Sequence, residues 1–386
     1  MPRLSGVSSK ETNYSMSMEI IQKQRAAMRE QNLDALVIAS PENIAYTADV
    51  VVPSQAIVRH RLVFCLVPCE GAPQIITVNI EESFVSSNSS IEQVVAYNEF
   101  TEDPVRVLAD CLHAAGLGSG RIGIEYTALS IKSYETLRTA LPQAALIPID
   151  DLLQRLRLIK TPGELQKLRQ IGKAAERAAR AAFEQARAGM TEVELGQLIT
   201  EAYLANGGDR LTMLVVGAGE RSGFANAAPT RRPLRHGDIV RVDVIGTGGN
   251  YYSDVARTAV IGRATDEQLR AWSHLVEARK VALAALRPGA STRAMYQRYA
   301  EQMERWNLPP IKFLGHGLGL TLHEEPYIGP YTDIQLQPGM VMCIEPLCWY
   351  PEHWGVQLED EVILTGDGYE LITDQYDESE LYVIPA

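Results

Sequence analysis

The run Ile239-Val240-Arg241-Val242-Asp243-Val244-Ile245, then Gly246-Thr247-Gly248-Gly249-Asn250, then Tyr251-Tyr252-Ser253-Asp254-Val255-Ala256-Arg257-Thr258 decides how this chain reads. Two apolar, strand-like segments flank a Gly-rich turn, which is the pattern of a β-hairpin. Each strand carries one carboxylate in apolar surroundings, Asp243 and Asp254, and burying either one ionised is costly without a cation or strong donors. The hairpin therefore sets two inward acids on adjacent strands, and something positive should face them.

Downstream, Gly315-His316-Gly317-Leu318-Gly319-Leu320 places an imidazole among glycines that allow close backbone approach, and His323 follows in Leu322-His323-Glu324-Glu325-Pro326. Cys343-Ile344-Glu345-Pro346 ends an apolar strand on a carboxylate, and Val356-Gln357-Leu358-Glu359-Asp360 begins another with one. Taken singly, each has an ordinary reading: Asp243 as a turn or edge residue, His316 as a loop histidine, Glu345 as a strand end, Glu359-Asp360-Glu361 as a solvated acidic edge. Taken together, Asp243, Asp254, His316, Glu345 and Glu359 form a set of four acids and one imidazole, all in or beside apolar or Gly-rich segments of one half of the chain. Four mutually repelling acids make sense around two divalent cations, with one or two carboxylates bridging.

Outward from this set, the second half alternates long helical patterns with blocks of strands. Helices are expected from Thr161 onward and over Thr191 to Ala205, Asp266 to Leu286 and Thr292 to Trp306. Strands are expected at Met213 to Val216, Ile239 to Ile245, Tyr251 to Val260, Gly339 to Ile344 and Gln357 to Leu364. Thr161 as N-cap, Pro162 in the first turn and Glu164 as the capping-box acid mark where this half starts. The first half interleaves short strands (Asp34 to Ile38, Arg61 to Val67, Gln74 to Val78, Arg121 to Glu125) with helices (Met18 to Gln31, Asp103 to Ala115, Ile131 to Ala140), the signature of an α/β layer. The expected organisation is a polar tail over residues 1–16, an α/β domain over 17–157 and a second, α+β domain over 158–386.

The composition fits this picture and narrows the function. With 386 residues, 46% hydrophobic and 22% charged, the chain can build sizeable cores and is not disordered. Lys and Arg number 36 against 48 Asp and Glu, a formal net charge of -12, which argues against a nucleic-acid partner. No apolar run approaches the roughly 20 residues that span a bilayer, and the first residues lack the apolar stretch of a secretory signal, so a cytoplasmic protein without a membrane partner is expected. The five cysteines (Cys65, Cys69, Cys111, Cys343, Cys348) are few, odd in number and mostly in apolar runs, which suits reduced, buried thiols. Cys65 and Cys69 have no second pair at zinc-site spacing.

At its acids and histidines the sequence resembles the M24 metallopeptidases of the pita-bread fold, the family of Xaa-Pro dipeptidases, Xaa-Pro and methionine aminopeptidases, and creatinase. The spacings Asp243 to Asp254, His316 to Glu345 and Glu345 to Glu359, the run GHGLGLTLHEEP and the tripeptide IEP carry the match. The resemblance covers nearly the whole chain and implies an α+β protein with an N-terminal creatinase-like α/β domain and a C-terminal pita-bread catalytic domain. It implies two divalent metal ions (manganese, cobalt, iron or zinc), with Asp243 chelating one, His316 and Glu345 the other, and Asp254 and Glu359 bridging. Glu345 would pass a proton, and His323 would contact the substrate or the tetrahedral intermediate.

Three inner positions depart from the family pattern. Asn226 stands where relatives place a substrate-binding histidine, Gln357 where they place an arginine beside the bridging acids, and Ala256 where they place a threonine. Asn can hydrogen-bond but cannot shuttle a proton, and Gln357 removes a cation. The leading expectation is a dinuclear metal-dependent hydrolase cleaving the amide bond of a dipeptide or short peptide. Its rivals are a hydrolase or lyase for a small non-peptide substrate, as in creatinase, ectoine hydrolase and dimethylsulfoniopropionate lyase, and a metal-binding pseudoenzyme. The resemblance also implies a homodimer. The cationic run Val58-Arg59-His60-Arg61-Leu62 would then place Arg59 or Arg61 against a substrate carboxylate in the partner's pocket.

Overall fold

Runs of four or five apolar residues in the first part of the chain form strands with both faces covered, because helices flank the sheet they build. The computed structural model describes residues 9–58, 60–350 and 353–385; Arg59 lies outside the described residues. The elements of this part are α1 (Ser9–Gln31), β1 (Ala35–Ile38), α2 (Pro41–Ala48), β2 (Phe64–Pro68), β3 (Gln74–Val78), α3 (Glu82–Asn88), β4 (Gln93–Tyr97), α4 (Pro104–Ala114), β5 (Arg121–Ile124), α5 (Ile131–Ala140), β6 (Ala145–Pro148) and α6 (Asp150–Leu158). The six strands make one mixed sheet in the order β4-β3-β2-β1-β5-β6, with β1, β5 and β6 parallel and β2 antiparallel to its neighbours.

Helix α1 starts at Ser9, so the polar tail expected to run to residue 16 is helical in its second half. Helix α2 was not legible as a helix because it is only eight residues long. It is set by its ends: the Ser40 hydroxyl accepts from the Asn43 N–H, Pro41 occupies the first turn, and Asp49 closes it in the left-handed region. Strands β4 and β6 and helix α6 also went unread. Gln93–Tyr97 and Ala145–Pro148 are too short to show a period, and they become strands by pairing with β3 and β5.

The second compact unit begins at Leu158. It contains α7 (Pro162–Gln185), α8 (Glu192–Ala205), β7 (Arg210–Ala218), β8 (Ile239–Gly248), β9 (Tyr251–Ile261), α9 (Asp266–Ala285), α10 (Thr292–Arg305), β10 (Gly315–Gly317), β11 (Glu324–Ile328), β12 (Val341–Ile344), β13 (Leu347–Tyr350), β14 (Trp354–Gln357), β15 (Asp360–Leu364), β16 (Tyr369–Leu371) and β17 (Tyr382–Ile384). Thr161 and Glu164 form a complete capping box at the start of α7, with Pro162 in its first turn. The turn between β8 and β9 is Gly249-Asn250 with φ of 54° and 73°, the two left-handed residues that a type I′ hairpin requires.

Two sheets, β17-β9-β8-β7 and β11-β10-β12-β15-β16, and the hairpin β13-β14 form the β part of this unit. Strand alternation divides their faces. Val240, Val242 and Val244 of β8 and Val255, Ala259 and Ile261 of β9 join one core with Ala174, Ala175, Ala178, Ala179 and Ala182 of α7, whose small side chains let the helix lie close to the sheet. Met342 and Ile344 of β12 and Val362 and Leu364 of β15 join a second core with Trp272, Leu275 and Ala278 of α9. The residues between these positions, Asp243 and Asp254 in one sheet and Cys343 in the other, are left to line the space between the two cores. The expected single strand Gln357 to Leu364 is broken into β14 and β15, because the first pairs with β13 and the second with β12 and β16. Leu358 and Glu359 form the link.

Arg257 is one of the buried cations of this unit. It reaches Glu176 and Asp360 at 3.1 Å and Glu378 at 3.2 Å, and donates to the carbonyls of Ala256 and Glu359. Asp360 is also held by Arg279 and by the Thr373 hydroxyl. No helix among the described residues is long and apolar enough to cross a membrane. Replacing Arg257 by Met leaves three buried acids short of their cation, so the variant should lose about 3–5 kcal/mol in urea unfolding, the range for breaking a buried ion pair. A loss below 1 kcal/mol, on the order of a surface pair, would show that the acids relax by protonation instead.

Candidate metal centre

Asp243 of β8 pairs in register with Ala256 of β9, and Asp254 with Ile245, so the two carboxylates lie diagonally on one face of the hairpin. From the second sheet, His316 of β10 sits opposite Cys343 of β12, and Glu345 follows directly after β12, its N–H bonded to the Leu314 carbonyl at 2.9 Å. Glu359, in the link between β14 and β15, is pinned by its N–H to the Ala256 carbonyl at 3.1 Å. The small side chain at 256 allows that link to close onto β9.

These elements bring the four acids and the imidazole together. His316 Nε2 lies 3.3 Å from Glu345 Oε1, 3.6 Å from Asp254 Oδ2 and 3.9 Å from Glu359 Oε1. Its Nδ1 bonds the Gly317 carbonyl at 3.0 Å, which assigns the proton to Nδ1 and turns Nε2 toward the acids. Asp254, His316, Cys343 and Glu359 each offer one ligand atom, all within 4.8 Å of one another. The residues 359–361 are fully buried and are not a solvated acidic edge. Glu361 accepts the Asp254 N–H at 2.8 Å, backing the site from behind.

The electrostatics are strained. Burial, followed by repulsion from neighbouring carboxylates, pushes Asp254 and Glu359 well above the ordinary carboxylate range. Burial also raises Asp243, with Arg241 pulling the other way. Glu361 is pushed up to about 8, chiefly by burial. Burial works against the imidazolium of His316, but Glu345 and Glu359 outweigh it and raise its pKa.

A cation fits this donor set. Asp243 Oδ1, Asp254 Oδ1, His316 Nε2, Glu345 Oε1 and Glu359 Oε1 are each buried without a hydrogen-bond partner, one atom from every member of the set. Orphaned acceptors at this density are costly in a native interior unless something positive binds them. Oxygen donors with one imidazole suit divalent first-row ions.

The remaining site residues take varied places. His323 stacks on His316 with ring centroids 3.8 Å apart, and burial together with His316 lowers its pKa to about 4. Its loop is held by Glu324, which accepts from the N–H groups of Leu320 and Thr321 and pairs with Lys160 at 3.2 Å in a buried ion pair. Asn226 is exposed, on the segment after Gly219–Gly223. Gln357 is buried and accepts from Arg241 at 2.6 Å, so position 357 carries no cation of its own and a guanidinium from β8 stands next to it. Arg61 belongs to the first unit, where it grips Glu99 at 2.9 and 2.8 Å with His60 alongside; the anion this cluster meets is a carboxylate of its own chain.

Arg241 and Cys343 escaped the sequence reading. Each precedes a recognised acid by two residues on a strand, Asp243 and Glu345, and so shares its face. That period-2 spacing was the available signal. Of the other cysteines, Cys65 and Cys348 are buried, while Cys69 and Cys111 are partly exposed.

Comparison with known proteins gives a consistent picture. The profile of metallopeptidase family M24 matches residues 166–366, and that of the creatinase/prolidase N-terminal domain matches residues 20–159. The chain is 31% identical over 348 residues to the probable dipeptidase PepE of Mycobacterium tuberculosis, covering 89% of this chain and 90% of that one. It is 27% identical to the Xaa-Pro dipeptidase of Pyrococcus furiosus, covering 92% and 97%. The crystal structure of dipeptidase PepE from Mycobacterium ulcerans superposes with a TM-score of 0.82 at 27% identity, covering 99% of this chain and all of that one.

The raised carboxyls set a pH dependence. A carboxyl whose pKa rises on folding contributes stability that is full below its unfolded value of about 4 and is lost as pH climbs through the folded value. For Glu361 that value is about 8. In chelator, the melting temperature should therefore fall between about pH 5 and about pH 8, and Mn2+ should remove most of the slope. Asp254→Asn should flatten the chelator profile; a flat profile in the parent protein would contradict the assigned electrostatics.

Proposed function

The chain belongs to metallopeptidase family M24 and is a metal-dependent hydrolase; from that premise and from the five converging orphaned atoms, we propose that it is a dinuclear dipeptidase. Asp243, Asp254, His316, Glu345 and Glu359 would hold two divalent cations, manganese, cobalt, iron or zinc. By the family resemblance, Asp243 would serve one, His316 and Glu345 the other, and Asp254 and Glu359 would be shared. The observation that carries this reading is the single unpartnered buried atom on each of the five side chains. When bound, such cations polarise a carbonyl and acidify water near neutral pH.

The chain's own residues do the rest. Glu345, which follows β12 and lies against the His316 imidazole, would take a proton from the attacking water and pass it to the leaving amine. His323 is neutral at pH 7 given its lowered pKa, so it offers a hydrogen bond to the substrate rather than a charge. Lys160 and Glu324 fix the loop that presents it. Asn226, exposed beside Phe224 and Ala225, contributes an amide to substrate binding where a titrating group would otherwise stand.

The relatives named dipeptidase and Xaa-Pro dipeptidase support a short peptide as substrate over a small non-peptide. A cytoplasmic homodimer goes with this reading, and sedimentation of the purified protein would check the dimer. Elemental analysis should find about two divalent ions per chain, the number that four clustered acids call for. Asp254→Ala should lose at least one, and full occupancy in that variant would overturn the ligand assignment. In a panel of Xaa-Pro dipeptides and small amides, cleavage of the dipeptides should be abolished by chelator and restored by metal. Asn226→His should raise kcat/KM on Xaa-Pro dipeptides, because an imidazole there can also titrate near neutral pH. Unchanged or lower activity would mean that the pocket reads a different leaving group.

A further inference from the structure

Among the described residues, Arg241 is the largest side chain that the fold buries completely, at 1% exposure, and its hydrogen bonds go to carbonyls and an amide, not to a carboxylate. Its Nε donates to the Ser222 carbonyl at 3.0 Å, and its Nη2 to the carbonyls of Phe224 and Ala225. Nη1 donates to Gln357 Oε1 at 2.6 Å, and the guanidinium lies over the Trp349 ring, 5.0 Å from its centroid. A buried guanidinium that satisfies itself on carbonyls and one amide keeps its charge available to the acids beyond. Asp243, Glu345 and Glu359 are the acids its charge acts on.

The bond to Gln357 has a directional consequence. A guanidinium only donates, so the oxygen of the Gln357 amide must face Arg241 and its NH2 must face the other way. That NH2 lies 3.4 Å from Glu359 Oε2. The other oxygen, Oε1, is the one left without a partner and turned toward His316 Nε2 at 3.9 Å. Gln357 is 3% exposed and Glu359 1%, so no water competes for the amide.

The geometry points to Arg241 as a positioning residue that acts through Gln357: it fixes the amide, the amide occupies one oxygen of Glu359, and the other oxygen is thereby presented for metal. The inference rests on the reading of Glu359 as a metal ligand. It assigns a role to Arg241 that its place among apolar strand residues concealed, and it explains how a glutamine at 357 serves beside the acids. Partners that orient a metal-binding carboxylate typically affect metal affinity by about 10–100-fold when removed.

The test is Mn2+ affinity, measured by competition with a fluorescent chelator on the full chain. Gln357→Met keeps the volume and leaves Arg241 its three carbonyls, so the apo protein should melt close to the parent while binding Mn2+ about 10–100-fold more weakly. Arg241→Met should weaken binding as well, and the double variant should be no weaker than the poorer single variant, since both break one relay. Should Arg241→Met not fold, the Gln357→Met affinity decides alone. Unchanged affinity in Gln357→Met, or additive losses in the double variant, overturns the relay while leaving the metal site standing. A parent protein that binds no Mn2+, Co2+ or Zn2+ overturns the metal site and the relay together.

Discussion

Five buried polar atoms from four acids and one imidazole, none with a hydrogen-bond partner, converge between two apolar cores, and the architecture of the second unit is organised to hold them there. Carboxylates this close repel one another, and without a cation they shift toward their protonated forms, as Asp254 and Glu359 do. Only a rigid frame keeps such groups together. The frame is a hairpin packed on the alanine face of α7 and a second sheet packed on α9, each contributing its non-core face. Strand alternation is therefore what makes the site: the residues that build each core and the residues that build the centre are the same strands read in opposite phase.

Two buried arginines share the electrostatic load without neutralising the centre. Arg257, on the α7 side of β9, ties Glu176, Asp360 and Glu378 into a network that stiffens the strand carrying Asp254. Arg241, on the other face of β8, spends its donors on carbonyls and on Gln357 and leaves its charge facing the acids. The first relieves repulsion behind the site, and the second polarises it from the side. A direct ion pair to Asp243 or Glu359 from either would have consumed a ligand. The loop carrying His323 is treated in the same way: the Lys160 and Glu324 pair is buried and satisfied by loop N–H groups, so the imidazole stacked on His316 needs no bond of its own to stay in place.

The acids that stand in the second unit's strands, and much of the frame around them, are legible in the sequence. An acid within an apolar strand run is legible because it violates the local pattern, and Asp243, Asp254, Glu345 and Glu359 each do so. The Gly249-Asn250 turn and the Thr161 capping box are legible because their backbone demands few alternatives. Contacts between residues far apart in sequence could not be read this way. The break that puts Glu359 in a link between β14 and β15 depends on which strands they pair with, and the closure of that link depends on the Ala256 carbonyl more than a hundred residues earlier. Arg241 reads as an outlier in a strand until Gln357 is set against it, and Arg61 reads as a free cation until Glu99 is. A local pattern records what one residue costs its own segment; which distant group offsets that cost is fixed by strand pairing and packing, and those exist only in the folded chain.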